Sequence, residues 1–141
     1  MTTRIKMIVP IPMDGAGWAN RRAQLGDEDI GAGYEVDFVA AEAGPTFEDS
    51  YYASALMDYY VFRAGVAAER EGYQAICIDT VSDSGLNALR SALTIPVIGQ
   101  GATSFHLACT LGKRFTVVTM WRQWAHLYEK IFDESVPRLP P

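Results

Sequence analysis

Five short apolar runs, at residues 5–9, 36–40, 75–78, 95–98 and 115–119, are each rich in Ile, Val or Phe and bounded by polar, Gly or Pro residues. Segments of helix length separate them. Near-continuous apolar strands cannot turn one face to water, so their alternation with helices predicts a parallel sheet covered on both sides, an α/β, three-layer, flavodoxin-like fold. Right-handed crossovers then restrict the topology. The densest stretch is residues 73–101, YQAICIDTVSDSGLNALRSALTIPVIGQG, which reads without a break as strand, polar loop, helix, strand and Gly-rich loop.

The spacing predicts a helix over residues 50–70, where Tyr52, Leu56, Tyr59, Tyr60, Val66 and Ala67 recur at helical intervals and Gly72 follows the end. Its tyrosines are expected to pack it onto the sheet, with Tyr51 and Ser50 at its start, next to the loop GPTFED. A second helix opens near Ser84, with Ser82 or Asp83 as its cap and Leu86, Leu89 and Leu93 on one face. A third starts near Ala102, turns Phe105, Leu107, Ala108 and Leu111 to the core and ends at Gly112. Residues 18–30 allow only a short helix, because Gly26, Asp27 and Asp29 interrupt it. Near the C-terminus Trp121, Trp124, Leu127, Tyr128 and Ile131 form an apolar stripe over residues 121–132, followed by the Pro-rich DESVPRLPP. Such a stripe needs a cover, and association with a second copy through this segment is one expectation.

A chain of 141 residues, 49% of them hydrophobic, can bury one core without staples. The net charge of −5 and the absence of any Lys/Arg cluster argue against nucleic-acid and anionic-membrane partners. Pro10 and Pro12 interrupt the opening apolar run, so neither a secretion signal nor a membrane span is expected. Cys77 and Cys109 have neither CxxC nor His spacing, which predicts no metal site or redox pair and a cytoplasmic protein. Gly15-Ala16-Gly17 and Gly99-Gln100-Gly101 each offer GxG after a strand. Neither completes GxGxxG, and residues 10–14 separate the first from its strand, so no cofactor is expected.

In an open parallel sheet, ligands bind beyond the carboxyl ends of the strands. The loops at issue are residues 10–17, 41–50, 79–84 and 99–104, rich in Gly, Ser, Thr and Asp, with helix N–H groups behind them that suit a carboxylate or phosphate. The same residue types cap helices, so each alone has an ordinary structural reading. Their clustering is what points to a ligand. His106 and His126 have no Ser, Cys or carboxylate partner at triad spacing. Cys109 sits among small and apolar neighbours, and alternation places Cys77 on the same side of its strand as Asp79.

The segments KMIVPIPM, GPTFEDSYYASAL and SDSGLNALRSALTIPVIGQGATSFHLACTLGKRFTVVT, with the helix after them, resemble the aspartate/glutamate/hydantoin racemase superfamily over nearly all of the chain up to Phe132. The resemblance implies a pseudo-two-fold fold of two similar lobes. Residues 1–112 would form the first, 113–132 a strand and helix beginning the second, and 133–141 an extended tail. It further implies proton transfer at an acidic carbon by one cysteine from each lobe, without a cofactor, on a small carboxylate or hydantoin-like cyclic amide. Matched to the hydantoin-racemase wording, the first cysteine falls on Thr80; matched to the glutamate-racemase wording, it falls on Ile78. Neither lands on Cys77, and no residue after Thr119 maps to the second. A threonine hydroxyl has too high a pKa to replace a thiol as a carbon base. Candidate catalytic residues are Thr80 and Cys77. Candidate substrate contacts are Pro10, Asp79, Ser82, Ser84, Tyr51, Gly101, Ala102 and Thr119. Two further readings stand beside racemisation. One is a truncated, non-catalytic relative that binds a small anion. The other is a decarboxylase resembling arylmalonate decarboxylase, in which hydroxyls and amides of this loop form an oxyanion hole.

Overall fold

The computed structural model describes residues 2–24, 26 and 30–135. Strands β1 (Thr3–Val9), β2 (Tyr34–Ala40), β3 (Ala75–Ile78) and β4 (Val97–Gly99) pair in parallel in the order β2-β1-β3-β4. Among the described residues the α-helices are α1 (Gly15–Arg22), α2 (Tyr51–Gly65), α3 (Leu86–Ala92), α4 (Gln100–Leu111) and α5 (Ala125–Ser135), with a 3-10 turn at Arg122–Trp124. The fold is therefore α/β with flavodoxin-like strand order, and the order reverses between β1 and β3. Register there is tight: Met7 pairs with Cys77 and Ile8 with Ile78, and the Asp79 N–H donates to the Ile8 carbonyl at 2.8 Å.

Local chemistry explains two helix starts. Asp14 accepts the Gly17 N–H at 2.7 Å and Ser50 accepts the Ala53 N–H at 3.2 Å, each satisfying a donor that the first helical turn leaves free. For α3 the expected side-chain cap by Ser82 or Asp83 is absent. Gly85 occupies the cap position at φ 71°, and its N–H donates to Asp58 Oδ1 at 2.8 Å.

The core lies where Ile8, Ile76, Ile78 and Val97 of the sheet meet Val61, Leu86 and Leu89 of the helices, and Ala102, Phe105 and Ile131 extend it. α2 faces this core with Ala53, Met57, Val61 and Gly65, not with its tyrosines. Tyr51, Tyr52 and Tyr59 are 82%, 76% and 53% exposed. Close approach decides the face: a Cβ at Gly65 would lie 2.8 Å from Leu89 and 2.9 Å from Ile8, a gap that no tyrosine fits. On α4, Phe105 turns inward but Leu107 and Leu111 are exposed, because residues two apart on a helix point in nearly opposite directions. Among the described residues the opposite sheet face is more thinly covered. Met7, Phe38 and Cys77 are half-buried, Ile98 is exposed, and α1 buries none of its residues.

The run 115–119 forms no strand. Among the described residues nothing pairs with it, and Val118 and Met120 stand in solvent, so its apolar composition lacks the ladder partner that a strand requires. The chain then folds back. Phe47 packs between Trp121 and Trp124 at ring distances of 5.2 and 5.0 Å, the Trp124 Nε1–H donates to the Glu48 carbonyl at 2.6 Å, and Leu127 and Ile131 are buried. Burial of each of those two aliphatic side chains is worth roughly 1.5–3 kcal/mol. The chain itself thus covers Leu127 and Ile131 of the stripe, while Phe132 at its end is 37% exposed. Residues 133–135 continue α5, and the rest of the expected tail lies outside the described residues. Among the described residues no helix is long and apolar enough to cross a membrane.

A Cβ at Gly101 would meet the Val81 carbonyl oxygen at 2.2 Å, whereas one at Gly15 meets nothing within 4 Å. Gly101→Ala is expected to cost about 1–3 kcal/mol and lower the melting temperature by roughly 5 °C or more. Gly15→Ala should leave the melt unchanged or raise it slightly. Thermal unfolding followed by circular dichroism compares the two.

Candidate functional site

The sheet's switch point opens into a cleft of about 360 Å³. Its floor is Pro10 and Ile11 after β1 and residues 79–82 after β3. One side is the 46–48 segment before α2, and the other is Arg21 and Gln24 at the end of α1. Trp124, Leu127 and Tyr128 form a wall. The lining is largely apolar with a few convergent polar groups, which is the usual character of a small-molecule site.

Three of the polar groups, Asp79, Thr80 and Ser82, come from one loop. The Thr80 and Ser82 hydroxyls are 3.1 Å apart, the Ser82 N–H donates to Thr80 Oγ1 at 3.4 Å, and the Ser82 and Ser84 hydroxyls are 3.0 Å apart. Ser84 is buried, so this relay ends in the protein and leaves Thr80 at its outer end. Asp83 holds the loop's far side. It adopts φ 52°, a left-handed conformation that Asp tolerates better than most residues, and its carboxylate accepts the N–H groups of Gly101 and Ala102 at 2.8 and 2.7 Å. It therefore caps α4 from a distance. Burial pushes the Asp83 carboxyl up, and the bonds from Ala102 and Gly101 and the charges of Arg90 and Lys130 pull it back only in part.

Asp79 stands at the carboxyl end of β3 with its side chain 11% exposed, and its Oδ2 lies 3.0 Å from Arg21 Nε. That oxygen is sealed from solvent, and the contact is an ion pair without hydrogen-bond geometry. Burial raises the Asp79 carboxyl and the Arg21 charge pulls it down, with burial the larger effect.

Of the residues expected to form a site, Pro10, Asp79, Thr80 and Ser82 come together on the cleft, and the other six do not line it. Tyr51 is exposed and stacks near His126. Ser84 lies beneath the loop. The N–H groups of Gly101 and Ala102 are taken by Asp83, so they cannot also hold a ligand carboxylate. Gly99 and Gly101 are instead needed for close approach, since a Cβ at Gly99 would lie 2.6 Å from the Asp83 carboxylate. The Thr119 hydroxyl sits near the Trp121 carbonyl and the Tyr128 hydroxyl, each at 3.4 Å. Cys77 points to the thinly covered sheet face, and burial, with the nearby Asp79 and Asp83 charges, raises its thiol to about 11, so it is not a thiolate at neutral pH. Among the described residues no group of three or more His, Cys, Asp or Glu side chains could hold a metal ion.

The Asp/Glu/hydantoin racemase family model matches residues 20–136. The chain belongs to that family. A hydantoin racemase from Pseudomonas sp. (strain NS671) is 34% identical over 99 residues, which make up 70% of this chain and 40% of that protein. Allantoin racemase from Klebsiella pneumoniae superposes with a TM-score of 0.81 at 23% identity, covering 95% of this chain and 54% of the other. Allantoin racemase from Pseudomonas fluorescens gives 0.81 at 20% identity, covering 94% and 55%. At those identities the likeness is one of fold. The chain thus spans about half the length of these solved racemase-fold chains, and less of the hydantoin racemase.

Arg21, Gln24, Phe47, Glu48 and Trp124 line this cleft, and reading the sequence did not single them out as ligand contacts. The GPTFED loop and the aromatic stripe were both conspicuous, but nothing in the sequence said that they meet.

Asp79 and Asp83 both bind a proton more tightly in the folded than in the unfolded chain. The stability each contributes is full below the ordinary carboxylate pKa and is lost as pH rises through the raised folded value. Asp79→Asn removes one such loss. Its melting temperature at neutral pH should equal or exceed that of the parent, with a shallower decline between about pH 4 and pH 7, read from melts across that range.

Proposed function

We propose that the protein takes a small carboxylate or hydantoin-like cyclic amide into the cleft outside β1 and β3, for proton transfer at an acidic carbon. The observation that carries this reading is the convergence of Asp79, Thr80 and Ser82 on a small, mostly apolar cleft at the switch point of a racemase-family sheet. The names of the hydantoin and allantoin racemases that it resembles favour cyclic ureides over free amino acids. Thr80 and Ser82 act as hydrogen-bond donors to the carbonyl oxygen that becomes an enolate, a role that needs oriented O–H groups and no low pKa. Pro10 and the aromatic wall exclude water from the ring. The division of the chain near residue 112, with a second lobe facing this cleft, belongs to the same reading.

A second reading is favoured by one observation: the cleft presents hydroxyls where the family resemblance places a thiol, and Cys77 lies outside it. In that reading the loop is an oxyanion hole for an arylmalonate-type decarboxylation, or simply binds the anion.

Enantiopure 5-substituted hydantoins, allantoin, aspartate, glutamate and an arylmalonate are incubated with the protein while optical rotation and CO₂ release are followed. Loss of rotation on the cyclic ureides supports the first reading, and CO₂ release from the arylmalonate supports the second. Thr80→Ala should lower turnover about 100-fold, the order seen for loss of one oxyanion donor, while Ser104→Ala on the exposed face of α4 should not change it. If no compound is turned over and none shifts the melting temperature, both readings fail.

A further inference from the structure

A proton-transfer site needs a base, and neither hydroxyl of the loop can serve as one. Among the described residues, the titratable side chains bordering the cleft are Arg21, Glu48, Asp79 and Tyr128. A guanidinium has no acceptor atom, and a phenol hydroxyl is a poor base. That leaves two carboxylates. Glu48 belongs to the aromatic wall, where its carbonyl is tied to Trp124. Asp79 precedes Thr80 in the loop that carries both hydroxyls, at the end of the switch-point strand, and its backbone N–H is fixed to β1. Its carboxylate is largely shielded, is held by Arg21 at 3.0 Å, and has one sealed oxygen that makes no hydrogen bond. A carboxylate satisfied by two or three hydrogen bonds is a poor base. This one is held in place yet under-satisfied.

We propose that Asp79 is the base that removes the proton from the acidic carbon of the ligand, with Arg21 as its positioning residue. The inference rests on the ligand class proposed above. In the step the C–H bond breaks, an O–H bond forms on the Asp79 carboxylate, and the electron pair passes into the adjacent carbonyl as an enolate met by the Thr80 and Ser82 hydroxyls. The open cleft lets the Asp79 proton exchange with water, and the reverse step returns a solvent hydron to the same carbon. Water is the sole co-reactant. A ligand in D₂O therefore loses its carbon-bound hydrogen whether or not its configuration inverts.

The experiment follows the C5 proton of (S)-5-benzylhydantoin by NMR in D₂O with the full chain, alongside calorimetric binding of the same compound. The parent protein is expected to bind it and wash out the C5 proton. Asp79→Asn should bind it comparably but exchange about 100-fold more slowly or worse. The exchange rate should rise with pH as Asp79 ionises and then level off. Arg21→Gln removes the charge that pulls this carboxyl down, so its acid limb should move to higher pH. The other groups near Asp79 are Cys77 on β3, Glu48 before α2 and Tyr128 on α5.

Exchange retained in Asp79→Asn, including the case where Glu48→Gln loses it instead, overturns the proposal. So does an acid limb that stays put in Arg21→Gln. A parent protein that binds the hydantoin without exchanging it overturns the base and leaves the ligand class standing. One that neither binds nor exchanges it removes the ligand class and the base together.

Discussion

The Asp83 carboxylate is the joint on which the rest of the site depends. It takes two free N–H groups in the first turn of α4, at 2.8 and 2.7 Å, from the loop that follows β3, and so ties the carboxyl end of β3 to that of β4. Its left-handed backbone reverses the chain. The missing side chains at Gly99 and Gly101 let the two loops touch. With Asp83 anchored, Ser84 is driven inward and Ser82 and Thr80 line up toward the cleft. A buried charge is costly, and its position at a helix N-terminus with two strong donors offsets part of that cost. The helix end that would otherwise attract a ligand anion is spent on holding the loop that meets the ligand.

Much of the frame was legible because it is written in local chemistry. The four strands fall on four of the short apolar runs, Ser50 stands at the start of the helix expected over residues 50–70, and the polar loops sit where a parallel sheet puts its ligands. The failures are all non-local. Asp83 looked like a cap for the helix beside it, whereas it caps one that begins 17 positions later (residue 100 minus residue 83). The tyrosines of α2 recur at nearly the right spacing to face the core, but Gly65 and its small neighbours permit the closer approach and win the face. Residues 115–119 have strand composition without a strand partner. Composition cannot report whether a neighbour exists.

The two acidic residues of the loop do opposite work with the same side chain. Asp83 is satisfied by main-chain donors, and its role is geometric. Asp79 is constrained by a charge yet lacks a hydrogen bond to its sealed oxygen, which leaves it chemically available. They stand four positions apart (83 minus 79), and environment alone divides their roles. The thiol nearest to both, Cys77, shares its side of β3 with Asp79 but does not line the cleft, and burial keeps it protonated.

The wall formed by Trp124, Leu127 and Tyr128 has a further consequence, in how binding and folding are linked. The bond from Trp124 to the Glu48 carbonyl joins residues 76 apart, nearly the same separation as the 70 positions between Ile5 and Ala75 where β1 pairs with β3, so the two closures cost similar entropy. Without α5 the sheet and its polar loop would leave an open groove, and the docking of α5 makes that groove a cleft. A ligand that fills it then draws on the same free energy that seats the last helix, so occupancy and completion of the fold are thermodynamically one equilibrium.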